Sequence, residues 1–165
     1  MMVMQYPTRK TNRLSEYDYS SVGAYFITVC AYNRKCLFWE SPCALPDSLS
    51  AINLSHFGVI VQNVITQIPI RYPHFSVDNY VIMQNHIHIL LQIHADANGR
   101  QVAAPTIQTV VGHMKRAASM TAGTPLWQKG FHDHIIRSDS DYLAAWNYID
   151  GNPSKWFDDD LYIPS

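Results

Sequence analysis

The sequence predicts a single α+β domain, and three observations support this fold class. Segments rich in β-branched and aromatic residues alternate with segments whose apolar residues recur at helical spacing. The 165-residue chain is 47% hydrophobic and 15% charged, which excludes a disordered protein and is enough to bury a core. No stretch approaches the roughly 18 consecutive apolar residues of a transmembrane helix, so we expect no membrane-spanning segment.

The elements can be placed in order along the chain. A dense run of aromatic and β-branched residues marks the first strand, and Pro69 and Pro73 end the helix that follows it. A hairpin turn at Gln84-Asn85 joins the next two strands. Ser138 is the expected N-cap of the last helix, which has acidic residues in its first turn. Strands are predicted at residues 25–31, 78–83, 86–94 and 126–136, and helices at residues 54–68, 106–120 and 139–152.

This order, β-α-β-β-α-β followed by a helix, is that of a ferredoxin-like antiparallel sheet with an additional C-terminal helix, which carries a tyrosine. Two crossover helices on one face of such a sheet leave the other face for a site or for the last helix. We expect an N-terminal extended arm at residues 1–22, the single domain at 23–157, and an acidic C-terminal tail at 158–165.

Charge and cysteine content restrict the function classes. Twelve Lys and Arg against thirteen Asp and Glu give a net charge of −1, which argues against a protein that coats nucleic acid with a broad basic surface. Cys30, Cys36 and Cys43 are an odd number at spacings that match no zinc pattern. Since no signal peptide is recognisable either, we expect a cytoplasmic protein.

The strand at residues 86–94 alternates with a period of two. Its isoleucines point to one face, expected to pack on the helices, and His86 and His88 point to the other. An i, i+2 pair brings two imidazoles side by side, which suits two ligands of one metal ion. A plain polar surface face explains the pair equally well at this point. His94, at the strand end, is expected to be plain surface.

The last helix places Tyr148 and Asn152 four residues apart, so both project from one side, at the edge of the apolar stripe. A tyrosine at this position is either functional or an ordinary edge residue with its hydroxyl in water.

Four sequence blocks occur together in the order and at the spacing of one protein family. They contain His86-Ile87-His88, then Trp127-Gln128 and His134-Ile135-Ile136-Arg137, then Tyr148 followed by Asn152-Pro153, and they cover residues 17–28, 33–38, 81–88 and 127–153. On these blocks the chain resembles the REP-associated tyrosine transposases, relatives of the small single-tyrosine HUH transposases of insertion sequences. It departs from their pattern at Gln84, Arg116 and His132, none of which is a catalytic position in the family.

The resemblance implies a metal-dependent endonuclease and strand transferase that acts on single-stranded or hairpin DNA through a covalent 5′-phosphotyrosine intermediate. It implies that His86 and His88 hold the metal, that Tyr148 is the nucleophile, and that Asn152 completes the metal site. We expect Mg²⁺ or Mn²⁺ as the ion. Relatives include both dimers and monomers, so a homodimer and a single chain both remain open.

Other residues receive supporting roles. Either Asp133 or His134, on the fourth strand, is expected to orient a metal-ligating imidazole or to make a structural hydrogen bond under the last helix. Contacts with DNA phosphates require cations, for which the candidates are Arg9, Lys10, Arg13, Arg34, Lys35, Lys115, Arg116 and Lys155. Two alternatives to the transposase hypothesis are a non-catalytic nucleic-acid-binding module and a zinc-dependent hydrolase with a water nucleophile.

Overall fold

A four-stranded antiparallel sheet forms the centre of the computed structural model, which describes residues 16–40, 52–101 and 105–162. The strands lie in the order β2-β3-β1-β4. They are β1 (Gly23–Cys30), β2 (Phe75–Ile82), β3 (His86–Ile93) and β4 (His132–Ile135). The central strands β1 and β3 pair along their whole length, from Gly23 opposite Ile93 to Cys30 opposite His86.

The helices connect these strands in the predicted order. They are α1 (His56–Thr66), α2 (Ile68–Arg71), α3 (Ile107–Ala122) and α4 (Asp139–Gly151), and a 3₁₀ segment at Pro153–Asp158 follows α4. The order β1-α1-α2-β2-β3-α3-β4-α4 and the sheet order confirm the predicted α+β, ferredoxin-like fold with its additional C-terminal helix.

Local side chains explain where the helices begin and end. Ser55, Thr106 and Ser138 are N-caps whose hydroxyls accept hydrogen bonds from backbone N–H groups in the first turn. The predicted cap at Ser138 is therefore confirmed. Gly123 ends α3 in the left-handed conformation, with φ of 69°.

Three predicted elements differ most from the structure, whereas the ends of the others agree within two residues. The predicted first helix is divided at Gln67, because Pro69 lacks an N–H and lies in the first turn of the new helix α2. The second strand begins three residues earlier than predicted, at Phe75, and has a register shift between Val77 and Asn79. The fourth strand is much shorter than the predicted 126–136, because residues 126–131 form a loop in which Trp127 makes an isolated bridge to Ala31, the residue after β1.

The two faces of the sheet are covered by different helices. Ile87, Ile89, Leu91 and Ile93 are fully buried on the face of α1 and α3. The face with the histidines is also buried, because α4 contacts β2 and β3 there. Two side-chain hydrogen bonds join α4 to β2: Tyr142 Oη donates to Asp78 Oδ2 at 2.7 Å, and Asn79 Nδ2 donates to Asp150 Oδ1 at 2.9 Å.

Gly58, in the first turn of α1, and Gly112, on the exposed side of α3, give opposite expectations for the same substitution. A Cβ at Gly58 would overlap the backbone oxygen of Phe38 and lie 3.0 Å from Leu54 Cβ, whereas a Cβ at Gly112 meets nothing within 4 Å. We expect Gly58→Ala to lower the free energy of unfolding by about 1–3 kcal/mol. Gly112→Ala should raise it by about 0.5–1 kcal/mol. Urea unfolding of both variants checks this, and a neutral Gly58→Ala contradicts the proposed close contact.

Lys115, on α3, is partly buried and is used within the protein. Its Nζ donates to the backbone oxygens of Gln128 and Gly130, both at 2.7 Å, which holds the loop before β4. We expect Lys115→Met to lower the free energy of unfolding by about 1–3 kcal/mol, because hydrogen bonds from a charged donor are lost. Arg116→Met, an exposed neighbour, should change it by less than about 0.5 kcal/mol. Equal effects of the two substitutions in urea would show that the Lys115 contacts do not stabilise the loop.

Candidate active site

The two predicted metal ligands lie side by side on β3. His86 and His88 are 0% and 3% exposed, and their Nε2 atoms face each other at 3.1 Å. Two nitrogens bound to one ion at roughly 2.1 Å and at angles of about 90–109° lie about 3.0–3.4 Å apart. The spacing of the two Nε2 atoms therefore suits two ligands of one ion.

The other nitrogen of each ring has a hydrogen-bond partner. His86 Nδ1 lies 2.8 Å from Asn85 Oδ1, and His88 Nδ1 lies 2.8 Å from Thr28 Oγ1 on the neighbouring strand β1. Phe26 stacks on the His88 ring with the ring centroids 5.1 Å apart. Such partners orient an imidazole and leave its second nitrogen for a metal.

Burial also sets the charge of the pair. It lowers the pKa of His86 well below the usual value of 6.5, and the neighbouring His88 and Arg34 lower it further. Burial lowers the pKa of His88 to about 3. Both rings are therefore neutral at pH 7, which is the form that binds metal ions.

The carboxylate of Asp159 lies beside the two imidazoles, a position that no sequence motif indicates. Its Oδ2 lies 3.6 Å from His86 Nε2, the side chain is 3% exposed, and Oδ2 has no hydrogen-bond partner. His86, His88 and Asp159 each offer one ligand atom, and these three atoms lie within 4.8 Å of one another. Burial raises the pKa of the Asp159 carboxyl, and the charge of Asp160 adds to this effect. This cluster could hold a metal ion.

Asn152 adds a buried amide next to the cluster. It follows α4 directly and is 4% exposed, and its Oδ1 is buried without a hydrogen-bond partner. Its amide group lies close enough to Tyr148 and Asp159 to lower the pKa of both. Since buried polar atoms are rarely left unpaired, two orphaned oxygens beside two imidazoles fit a site for a divalent cation.

Tyr148 packs against His88 and is half exposed. Its ring is 5.2 Å from the His88 ring and 5.8 Å from the Phe26 ring, both edge to face, and the residue is 50% exposed. Burial of the hydroxyl, followed by the charge of Asp159, raises its pKa above the usual value of 10, so the phenol is protonated at pH 7. The predicted helix side with Tyr148 and Asn152 thus faces the histidines.

The two predicted fourth-strand residues lie elsewhere. Asp133 is opposite Ile27 in the strand register, so its side chain is on the face of α1 and α3 and not on the histidine face. His134 Nε2 lies 3.0 Å from both carboxylate oxygens of Asp141, in the first turn of α4. This pair joins β4 to α4, and no contact brings His134 to His86 or His88 in the described part of the chain.

The predicted DNA-binding cations differ in their surroundings. Arg34 is near His86, whose pKa its charge lowers, and it follows Asn33 in a turn where both residues have φ of 53°. Lys35, Arg116 and Lys155 are exposed, whereas Lys115 holds the loop before β4. The remaining candidates, Arg9, Lys10 and Arg13, lie outside the described residues.

Asp159 shows what the sequence could not indicate. It is one of three consecutive aspartates at residues 158–160, a pattern typical of a solvated tail. Its position depends on the 3₁₀ turn at Pro153–Asp158, which brings the chain back over β3, and on Trp156, which packs 5.9 Å from the His86 ring. No motif spacing carries this information.

Among the described residues, the longest apolar helices are too short or too polar to cross a bilayer.

A relative with a similar sequence, and not a family model, places the chain in a family. No family model matches it. An uncharacterized protein of Haemophilus influenzae is 30% identical over 174 residues, which cover 94% of this chain and 93% of that protein. The solved structure of a REP-associated tyrosine transposase bound to a REP hairpin is similar, with a TM-score of 0.60 and 23% identity, over 86% of this chain and 74% of that one. The chain therefore belongs to the family of this Haemophilus influenzae protein, and the resemblance to REP-associated tyrosine transposases that its sequence carries is confirmed in its fold.

Proposed function

We propose that this protein is a metal-dependent endonuclease and strand transferase for single-stranded or hairpin DNA, with Tyr148 as the nucleophile. The observation that carries the proposal is the position of Tyr148, half exposed and 5.2 Å between ring centroids from His88, beside two imidazole nitrogens that face each other at 3.1 Å. A transposase-like fold supports it, and the similar solved protein was bound to a DNA hairpin.

His86, His88 and Asp159 would hold the ion, with Asn152 as a further oxygen ligand. When bound, a divalent ion neutralises the non-bridging oxygens of a phosphodiester and orients it. His86, His88 and Asn152 alone would form an uncharged ligand set of two imidazoles and an amide. Asp159 adds a carboxylate, the ligand type that Mg²⁺ prefers, so we propose that both Mg²⁺ and Mn²⁺ support activity.

The Tyr148 oxygen forms the new bond to phosphorus, and the bond from phosphorus to the 3′ oxygen breaks. The leaving 3′ oxygen gains a proton, and the phenol proton is lost to a base or to water. The 5′-phosphotyrosine keeps the energy of the broken bond, so a 3′-hydroxyl can attack it later and rejoin the strand. The exposure of Tyr148 allows DNA to reach the oxygen.

The site residues all come from one chain. Tyr148 on α4 reaches His88 on β3 of the same molecule, and Asp159 reaches His86 in the same way. We therefore propose that a single chain is sufficient for cleavage and that a homodimer is not needed to complete the site.

A zinc-dependent hydrolase with a water nucleophile is the second candidate, and Asp159 is the observation in its favour. Two histidines and a carboxylate form a ligand set found in zinc hydrolases, with one position left for water. That enzyme would release product without a covalent link to the protein, so detection of the link separates the two candidates.

Tyr148→Phe should abolish the covalent adduct between the protein and end-labelled single-stranded hairpin DNA in the presence of Mn²⁺, because the attacking oxygen is absent. The adduct is measured as labelled protein on a denaturing gel. Tyr142→Phe is the matched control, since this tyrosine of the same helix loses a hydroxyl bonded to Asp78 but should still form the adduct. An adduct with Tyr148→Phe removes Tyr148 as the nucleophile, and cleavage without any adduct favours the hydrolase.

Removal of one metal ligand should weaken the binding of the ion. We expect His88→Ala and Asp159→Asn each to reduce Mn²⁺ affinity by about tenfold or more, as measured by titration calorimetry, and EDTA should abolish the adduct. His94→Ala is the control, because His94 is exposed at the end of the same strand and bonds to Ser76. Unchanged Mn²⁺ affinity in His88→Ala would exclude the proposed metal site.

A further inference from the structure

Asn85 connects three parts of the molecule with one side chain. It lies in the turn between β2 and β3 and is 1% exposed. Its Nδ2 lies 2.8 Å from the backbone oxygen of Leu161 and 3.3 Å from that of Arg34, and its Oδ1 lies 2.8 Å from His86 Nδ1. The Asn85 side chain thus joins the turn that contains Arg34, the C-terminal segment that contains Leu161, and His86 on β3.

The two backbone contacts determine which way the amide points. A carbonyl oxygen can only accept a hydrogen bond, so the group that faces Leu161 and Arg34 must be the NH₂ group. If the amide were reversed, Oδ1 would face the two backbone oxygens, and three acceptors would meet without a donor. Oδ1 must therefore face His86, and since Oδ1 can only accept, His86 Nδ1 must carry a proton.

A neutral imidazole carries one proton, so a proton on Nδ1 of His86 leaves its Nε2 without one. Thr28, the partner of His88, imposes no such order, because a hydroxyl both donates and accepts. If His86 were free to place its proton on Nε2, that proton would point at His88 Nε2, 3.1 Å away, and the two nitrogens would bond to each other. In that tautomer His86 Nε2 would have no lone pair for a cation.

The same amide also holds the segment that carries Asp159. The carbonyl of Leu161 accepts from Asn85, and the N–H of Leu161 donates to Asp159 Oδ1 at 2.7 Å. This second bond turns the other carboxylate oxygen, Oδ2, towards His86 Nε2 at 3.6 Å. The peptide between residues 159 and 161 is thus fixed to the turn before β3 by the Asn85 amide.

We propose that Asn85 is the positioning residue of the metal site: it holds His86 in the tautomer with a bare Nε2 and anchors the C-terminal segment that carries Asp159. This inference rests on the proposed function, because it assigns a role towards the ion. Asn85 touches neither substrate nor ion, and acts through His86 and Leu161.

Two substitutions separate the two effects. Asn85→Ala removes all three hydrogen bonds, so His86 should lose its fixed tautomer and the segment at residues 159–162 should detach. Asn85→Asp keeps an oxygen that accepts from His86 Nδ1 but loses both donors, so the tautomer should be retained while the segment detaches. Asn79→Ala is the matched control, since it removes an asparagine hydrogen bond to Asp150 of α4 that involves neither His86 nor residues 159–162.

The first two readouts use the metal-free protein. Imidazole ¹⁵N chemical shifts should show His86 protonated at Nδ1 in the wild type, Asn79→Ala and Asn85→Asp, and a mixture of tautomers in Asn85→Ala. Amide hydrogen exchange at residues 159–162 should be faster in both Asn85 variants than in the wild type and Asn79→Ala. Protection in β1 and β3 shows that each variant is folded, and if Asn85→Ala does not fold, the exchange of Asn85→Asp decides.

The third readout is Mn²⁺ affinity, which should fall by about 10- to 100-fold in Asn85→Ala and stay at the wild-type value in Asn79→Ala. A wild-type tautomer of His86 in Asn85→Ala, or wild-type exchange at residues 159–162 in both Asn85 variants, overturns the proposal. If the wild type forms no DNA adduct but these three shifts occur, the positioning role stands and only the proposed DNA chemistry fails.

Discussion

The period of two along β3 is the constraint on which the rest of the structure depends. It places four apolar side chains against α1 and α3, and it forces His86 and His88 together onto the opposite face. That face would be open to water in a sheet covered on one side. Here α4 and the segment after it cover it, so two imidazoles are buried and their polar atoms need partners within the protein.

Some polar atoms of the buried site have hydrogen-bond partners, whereas others are acceptors without a partner. Asn85 and Thr28 bond to the two Nδ1 atoms, whereas Asp159 Oδ2 and Asn152 Oδ1 have no hydrogen-bond partner. Each buried acceptor without a partner costs about 1–3 kcal/mol. An ionised carboxylate oxygen and an amide oxygen are both acceptors, so they cannot hydrogen-bond to each other. A cation relieves such an arrangement, and for this reason the ligand set is a stronger indication of a metal than the His-x-His spacing alone.

How much of this site could be predicted depends on how local each relation is. The His86/His88 pair follows from strand alternation, and the common direction of Tyr148 and Asn152 follows from four-residue spacing on a helix. Asp159 could not be found in this way, because its position depends on a turn at Pro153–Asp158 and on a hydrogen bond across 76 residues from Asn85 to Leu161. Charge type alone was also insufficient for Lys115, whose ammonium group holds a loop instead of facing solvent.

The net charge of −1 is weaker evidence against DNA binding once the positions of the acidic residues are known. Asp159 is buried beside His86, so its carboxylate is not part of the outer surface that DNA would meet. Burial and the charge of Asp159 raise the pKa of Tyr148, which keeps its hydroxyl protonated. A cation held next to Asp159 would oppose that charge, since a bound ion is the largest local charge in such a site. The acidic segment therefore does not contradict phosphate chemistry: its buried carboxylate lies where a positive ion would be needed, and the half-exposed tyrosine lies where a phosphodiester could reach it.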